Sequence, residues 1–250
     1  MAIWQDPRTT TDRSGGVNAA TIGVPTVARD AGLRSYMLSV YNYMASGVLL
    51  TGIIALLFAP YAGQVLVGPQ GGLSGLGWIV MLSPLGIVFA MSFGMNRMAT
   101  GTLQMLFWAF AALMGLSMST LFLAFTGVSI AQTFFATAAA YVGLSLYGYT
   151  TKRDLSGFGT FLIMGVVGLL VAMVINLFLQ SGTMALVISG IGVLLFAGLT
   201  AYDTQRIKSM YDYVAGTDMQ GKAVIMGALN LYLDFINMFQ FLLSFMGNRR

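Results

Sequence analysis

Two aspartates stand where an apolar segment should carry none. Asp203 lies in Gly198-Leu-Thr-Ala-Tyr-Asp-Thr-Gln205, and Asp234 in Asn230-Leu-Tyr-Leu-Asp-Phe-Ile-Asn237. An ionised carboxylate inside a bilayer costs at least ~2.5–3.5 kcal/mol on insertion scales, so each should face protein or water and have a partner. Asn230, Asp234 and Asn237 are spaced i, i+4, i+7, which puts them on one helical face. That polar stripe suits a lined pathway or a buried seam. Simpler roles stand beside these: Asp203 paired with Arg206 at i+3, Asp234 as hydrogen-bonding glue between helices, and Arg97 as a topology anchor. The missing residue types narrow the chemistry further. The chain has no Cys and no His, and all eight acids are Asp. Disulfides, thiol catalysis, His-ligated metals and any Ser-His-Asp triad are excluded together. Any response to pH rests on carboxylates, because the usual pH switch is absent.

The elements that must hold these residues follow from the charge map. With 57% hydrophobic and 8% charged residues, the chain cannot cover a water-facing surface, and a polytopic membrane protein is what remains. No Asp, Lys or Arg lies between Arg34 and Arg97, between Arg97 and Lys152, or between Asp154 and Asp203. A span needs roughly 20 apolar residues, so each gap holds two helices and a short uncharged turn. The punctuation at 60–77, 127–129 and 181–183 divides them. The expected helices are 36–59, 78–96, 101–125, 129–150, 158–180 and 184–206, with a seventh apolar segment near 223–246. Long continuous runs such as Phe161–Phe178 lack the alternation of a spanning barrel. The fold class is therefore an all-α polytopic membrane protein.

Lys and Arg set the orientation. Arg8, Arg13, Arg29 and Arg34 precede the first span. Arg97, Lys152, Arg153, Arg206, Lys208 and Lys222 follow the even spans, and the loops after the first, third and fifth spans carry none. The N-terminus is expected in the cytoplasm. The terminal Arg249 and Arg250 would lie outside if the seventh segment crosses, so the charge rule leans towards re-entry. Residues 1–34 hold Pro7, Pro25 and a Gly pair with no apolar h-region. They read as a flexible cytoplasmic tail before a transmembrane domain of 35–250. Asp154 reads as the helix cap after a basic turn. No basic patch interleaved with aromatics suggests nucleic acid.

Thr200-Ala-Tyr-Asp-Thr-Gln-Arg-Ile-Lys208, followed by Ala228-Leu-Asn-Leu-Tyr-Leu-Asp-Phe-Ile-Asn237, resembles the paired signature of the Bax inhibitor-1 family. The run from Tyr147 to Phe158 and the ending Gly247-Asn-Arg-Arg250 are similar to its bacterial inner-membrane members. The likeness extends from about Gly32 to the C-terminus. It implies six transmembrane helices around a central seventh helix, and a pH-sensitive calcium leak as the activity. It implies that Asp203 and Asp234 form a dyad, with Arg97 as the latch at the end of the second helix. Two carboxylates held together at low dielectric share a proton and titrate as a pair. Protonated, they hold two helices together; deprotonated, they repel and can bind a hard cation. Calcium takes roughly 6–8 oxygens. Asp203 and Asp234 with Asn230, Asn237 or backbone carbonyls supply a partial shell, weak enough for passage.

These expectations make calcium the permeant ion, with no tightly bound cofactor and no enzymatic activity. The lipid bilayer is the obligatory partner, and nucleic acid is not one. Two other functions remain open. A regulator binding a membrane protease or stress-response partner would need no transport of its own. An intramembrane aspartyl protease also needs two membrane Asp residues, but its Gly-x-Gly-Asp motif is Leu231-Tyr-Leu-Asp234 here.

Overall fold

The computed structural model describes residues 26–69 and 72–249. The described residues form eight helices: α1 (Thr26–Val65), α2 (Gly75–Gly94), α3 (Thr100–Met118), α4 (Leu121–Ala124), α5 (Gly127–Thr150), α6 (Ser156–Leu179), α7 (Gly182–Val214) and α8 (Met219–Met246). Together they make seven segments long and apolar enough to cross a membrane, with α3 and the one-turn α4 forming one of them. Hydroxyl caps start three of them. Ser74, Thr126 and Ser181 accept hydrogen bonds from the backbone N–H of Gly77, Ser129 and Met184, satisfying donors that a helix start leaves open.

Several boundaries differ from expectation, and most of the differences have a visible physical cause. Helix α1 runs through Pro60 to Val65 instead of stopping at 59, since membrane helices tolerate proline where neighbours and water satisfy the freed backbone groups. Its start at Thr26 takes residues 26–34 out of the expected tail; residues 1–25 lie outside the described residues. The third span breaks at Ser119-Thr120, whose hydroxyls bond back to the carbonyls of Leu116 (2.6 Å) and Ser117 (2.8 Å). Helix α7 continues past 206 to Val214. Arg29 holds that extension with a two-pronged bond to Asp212, Nε to Oδ1 at 2.9 Å and Nη2 to Oδ2 at 2.7 Å.

Helix α8 is the axis. It packs directly against α1, α3, α5 and α7, while α2 leans on α3 and α6 on α7. Four helices therefore surround the central one and two stand outside them. A hydroxyl link ties the centre together: Tyr232 on α8 meets Thr51 on α1 at 2.7 Å, and Thr51 donates to the Ala111 carbonyl on α3 at 2.8 Å.

The seventh segment is a continuous helix that runs the length of the bundle, against the lean towards re-entry. At its start Lys222 reaches the Met95 carbonyl in the α2–α3 turn (3.2 Å). At its end the Asn248 carbonyl accepts from Thr126 N (3.2 Å), and the Asn248 N–H donates to Ser129 Oγ (2.9 Å). Those partners begin α5, on the opposite side of the bundle from the α2–α3 turn. Arg249 lies there over the Phe125 ring, 5.9 Å from its centroid. A cation against an aromatic face offsets the adverse charge placement. Arg250 is outside the described residues.

Candidate functional site

The site is built by the α7–α8 hairpin. Its connection is the four residues Ala215–Asp218, and Gly216 turns the chain with φ +73°, a left-handed conformation that glycine adopts without strain. So short a turn makes the helices antiparallel neighbours. Asp203 is eleven residues before Val214 and Asp234 fifteen after Met219, or ~16 and ~22 Å from the turn at about 1.5 Å per residue. Comparable depth and facing sides make the two carboxylates close neighbours. Asp234 is only 4% exposed, and its Oδ2 has no donor among the described residues. Two ionised carboxylates offer each other only acceptors. A single proton between them would supply the missing donor and remove one of two like charges from a low-dielectric place.

The residues flanking Asp203 clip α7 to its other neighbours. Thr204 meets Ser145 on α5 (3.1 Å), and Ser145 meets Tyr41 on α1 (2.6 Å). The Gln205 amide accepts from the Leu155 N–H and donates to the Arg153 carbonyl, both at 2.8 Å. Lys208 donates to the Tyr149 carbonyl (2.8 Å) and lies over that residue's ring. Successive residues step about 100° around a helix, so 203 faces α8 while 204, 205 and 208 face α5 and the loop after it. Gly148 lets the backbones meet at this level: a Cβ there would strike the Ala201 carbonyl. In that loop Asp154 Oδ1 accepts from the Ser156 N–H (2.9 Å). Ser156, by its side chain first and its backbone second, holds the Asp154 carboxyl below the usual range.

Both aspartates lie in a stretch shared with known proteins. The family described as inhibitor of apoptosis-promoting Bax1 matches residues 33–250, both aspartates included. The chain belongs to the Bax inhibitor-1 family. It is 49% identical to an uncharacterized protein of Rickettsia prowazekii, over 88% of this chain and 92% of that one. It is 47% identical to an uncharacterized Caulobacter vibrioides protein, over 88% and 91% of the two chains. Against the inner membrane protein YbhL of Escherichia coli the identity is 43%, over 88% and 94%.

The other expected site residues are not gathered with the pair. Arg97 sits exposed in the α2–α3 turn and makes no ion pair with Asp203 or Asp234. The expected latch is therefore not formed in this conformation, because α2 packs on α3 and stands outside the ring around α8. Arg206, one turn along α7, acts on Asp203 through its charge without contact pairing. Asn237 donates to the Leu233 carbonyl of its own helix (2.8 Å), which commits its amide to the backbone. Asn230 is half-buried, on the turn of α8 before Asp234. Among the described residues no three acids gather, so calcium at the pair would need backbone or water oxygens to complete its shell.

Sequence reasoning missed Tyr41, Tyr141, Ser145 and Thr204. The buried Tyr141 donates to the Leu231 carbonyl of α8 (3.4 Å) and lies near both carboxylates. A signal existed for α5: Ser129, Thr133, Thr137, Tyr141, Ser145 and Gly148 form its buried face, a small-polar stripe at steps of three and four. In lipid such a stripe marks a packing side.

Proposed function

We propose that this family member is a pH-sensitive calcium leak channel gated by the shared proton of Asp203 and Asp234. The observation that carries the reading is the buried Asp234 oxygen, which lacks a donor beside a second carboxylate on the adjoining helix. At mildly acidic pH the proton is present and joins α7 to α8. As pH rises the proton leaves, two like charges remain at low dielectric, and repulsion favours separation. A separated anionic pair attracts a divalent cation and holds it loosely, because two carboxylates give an incomplete shell. No enzymatic chemistry enters this reading. The clips at Thr204, Gln205 and Lys208 fix α7 to α5, so the movable partner in the pair is α8 or a segment of α7.

The inner membrane is the proposed location, which is where the Escherichia coli relative, inner membrane protein YbhL, is named as residing. The N-terminus is proposed to be cytoplasmic. The side holding Arg29, Arg34, Arg97, Lys152, Arg153 and Lys222 is the basic one, and basic loops stay inside. Purified protein in calcium-free liposomes, with external calcium and an internal indicator, tests the activity. Protein-dependent influx is expected. Its absence at every pH would assign the fold to a regulatory role.

A further inference from the structure

Helices α1 and α5 both pack on α8 but scarcely on each other. Between them lies a groove of about 950 Å³. Tyr41 and Ala45 form one wall, Ala138 and Val142 the other, and Phe235 of α8 the floor. Val48, Leu49 and Phe134 carry it into a second apolar cavity of about 320 Å³. The hydroxyls of Tyr41 and Ser145 in the wall are bonded to each other, and Ser145 also to Thr204, so the groove offers water few partners. A cleft of that kind, open at the side of a membrane-spanning bundle, takes up hydrocarbon.

Its mouth is basic. Exposed Arg34 stands on the α1 side, and Lys208 lies over Tyr149 on the α5 side, 4.9 Å from the ring centroid. Of the nearby acids, Asp212 is bound by Arg29 at 2.7 Å, and exposed Asp30 lies 4.0 Å from Arg29. Among the described residues Arg34 has no carboxylate partner. The length also fits. From Arg34 to Leu49 the α1 wall rises ~22 Å at about 1.5 Å per residue. One leaflet's hydrocarbon is about 15 Å deep, with roughly 6 Å of headgroup above it. Arg34 therefore lies at phosphate level when Leu49 lies near the bilayer centre.

We propose that the α1–α5 groove binds one anionic phospholipid, with an acyl chain between the helices and the phosphate on Arg34. Lipid tails are as apolar as the groove wall, so burial alone confers no preference over the surrounding bilayer. Selectivity comes from the charge at the mouth and the shape of the cleft.

Native mass spectrometry of the detergent-purified protein tests this, with phosphatidylglycerol, phosphatidylcholine of the same chains, and inorganic phosphate added separately. The wild type should retain one phosphatidylglycerol about fivefold more strongly than phosphatidylcholine, the factor a single basic residue supplies near an anionic surface. Arg34→Gln should remove that preference and still hold a chain. Ala138→Trp, which fills the cleft, should weaken both lipids; Ala45→Leu is the milder replacement if the Trp variant fails to fold. Arg153→Gln, away from the groove, should behave as wild type. Undiminished preference in Arg34→Gln, or undiminished retention in both filling variants, would overturn the site. Inorganic phosphate competing fully with the lipid would reduce it to a surface anion site, and a dimer lost on filling would make it a protein interface. Either outcome contradicts the proposal.

Discussion

Helices α6 and α8 invert the rule that holds in water. Helix α6 is the most apolar span, yet only 11% of its apolar window is buried; α8 is among the least apolar, and 67% of its window is buried. Hydrocarbon is the solvent here, so an apolar side chain gains little by leaving it, whereas Asp234, Asn230 and Tyr232 must leave it. Polarity sends α8 to the centre, and the centre is where the carboxylate pair can persist. Phe178 and Leu177 of α6 are 80% and 72% exposed, while Tyr232 and Leu231 of α8 are both 0% exposed.

Truncation should expose the contrast most strongly. Tyr232→Ala removes a fully buried ring packed edge-on against Phe110 and Phe107, together with the hydroxyl link to Thr51. A loss of about 3 kcal/mol is expected in reversible unfolding from bicelles. Phe178→Ala on α6 should stay within about 0.5 kcal/mol. Comparable losses at the two positions would break the assignment of centre and rim. A smaller effect separates two glycines. Gly148→Ala forces a Cβ into the Ala201 carbonyl beside Asp203 and should destabilise by about 1–3 kcal/mol. Gly168→Ala on α6 meets open space and should gain up to about 1 kcal/mol of helix propensity. Equal changes in thermal stability for both would contradict the close α5–α7 approach.

Much of this arrangement was legible in the sequence, because charges and turn residues report where backbone must leave the bilayer. The spans, the α7–α8 hairpin and the isolation of Asp203 and Asp234 followed from such spacing, and the family signature named the pair. The helix ends were less legible. The α7 extension depends on a tertiary bond from Arg29, and α1 passes Pro60 where a local rule would stop it. The course of α8 stayed open between crossing and re-entry, because the two terminal arginines carry no sign of Phe125, the ring over which Arg249 lies. The role of Arg97 rested on likeness to relatives, and no local pattern could report that α2 stands away from the central helix. The α1–α5 groove is an absence of contact, which no residue spells out.

The smallest expected effect concerns that outer layer. Arg97→Lys keeps the charge in the turn and loses only the planar guanidinium. Exposed and unpaired with the dyad, Arg97 should tolerate the change with leak within about twofold of wild type. A rise of about tenfold at acidic pH, equivalent to ~1.4 kcal/mol, would show that a latch forms in another closed conformation and would draw α2 into the gate.

The central claim is that one proton shared by Asp203 and Asp234 controls the leak. Calcium influx into proteoliposomes, measured from mildly acidic to mildly alkaline pH, tests it with wild type, Asp203→Asn and Asp234→Asn. Asn keeps the side-chain shape and a hydrogen-bond donor but cannot ionise. Wild-type influx should rise with pH as the proton is lost, and each substitution should flatten the profile, since no second like charge can form. Both variants keeping the full wild-type rise would place the sensor elsewhere and contradict the account.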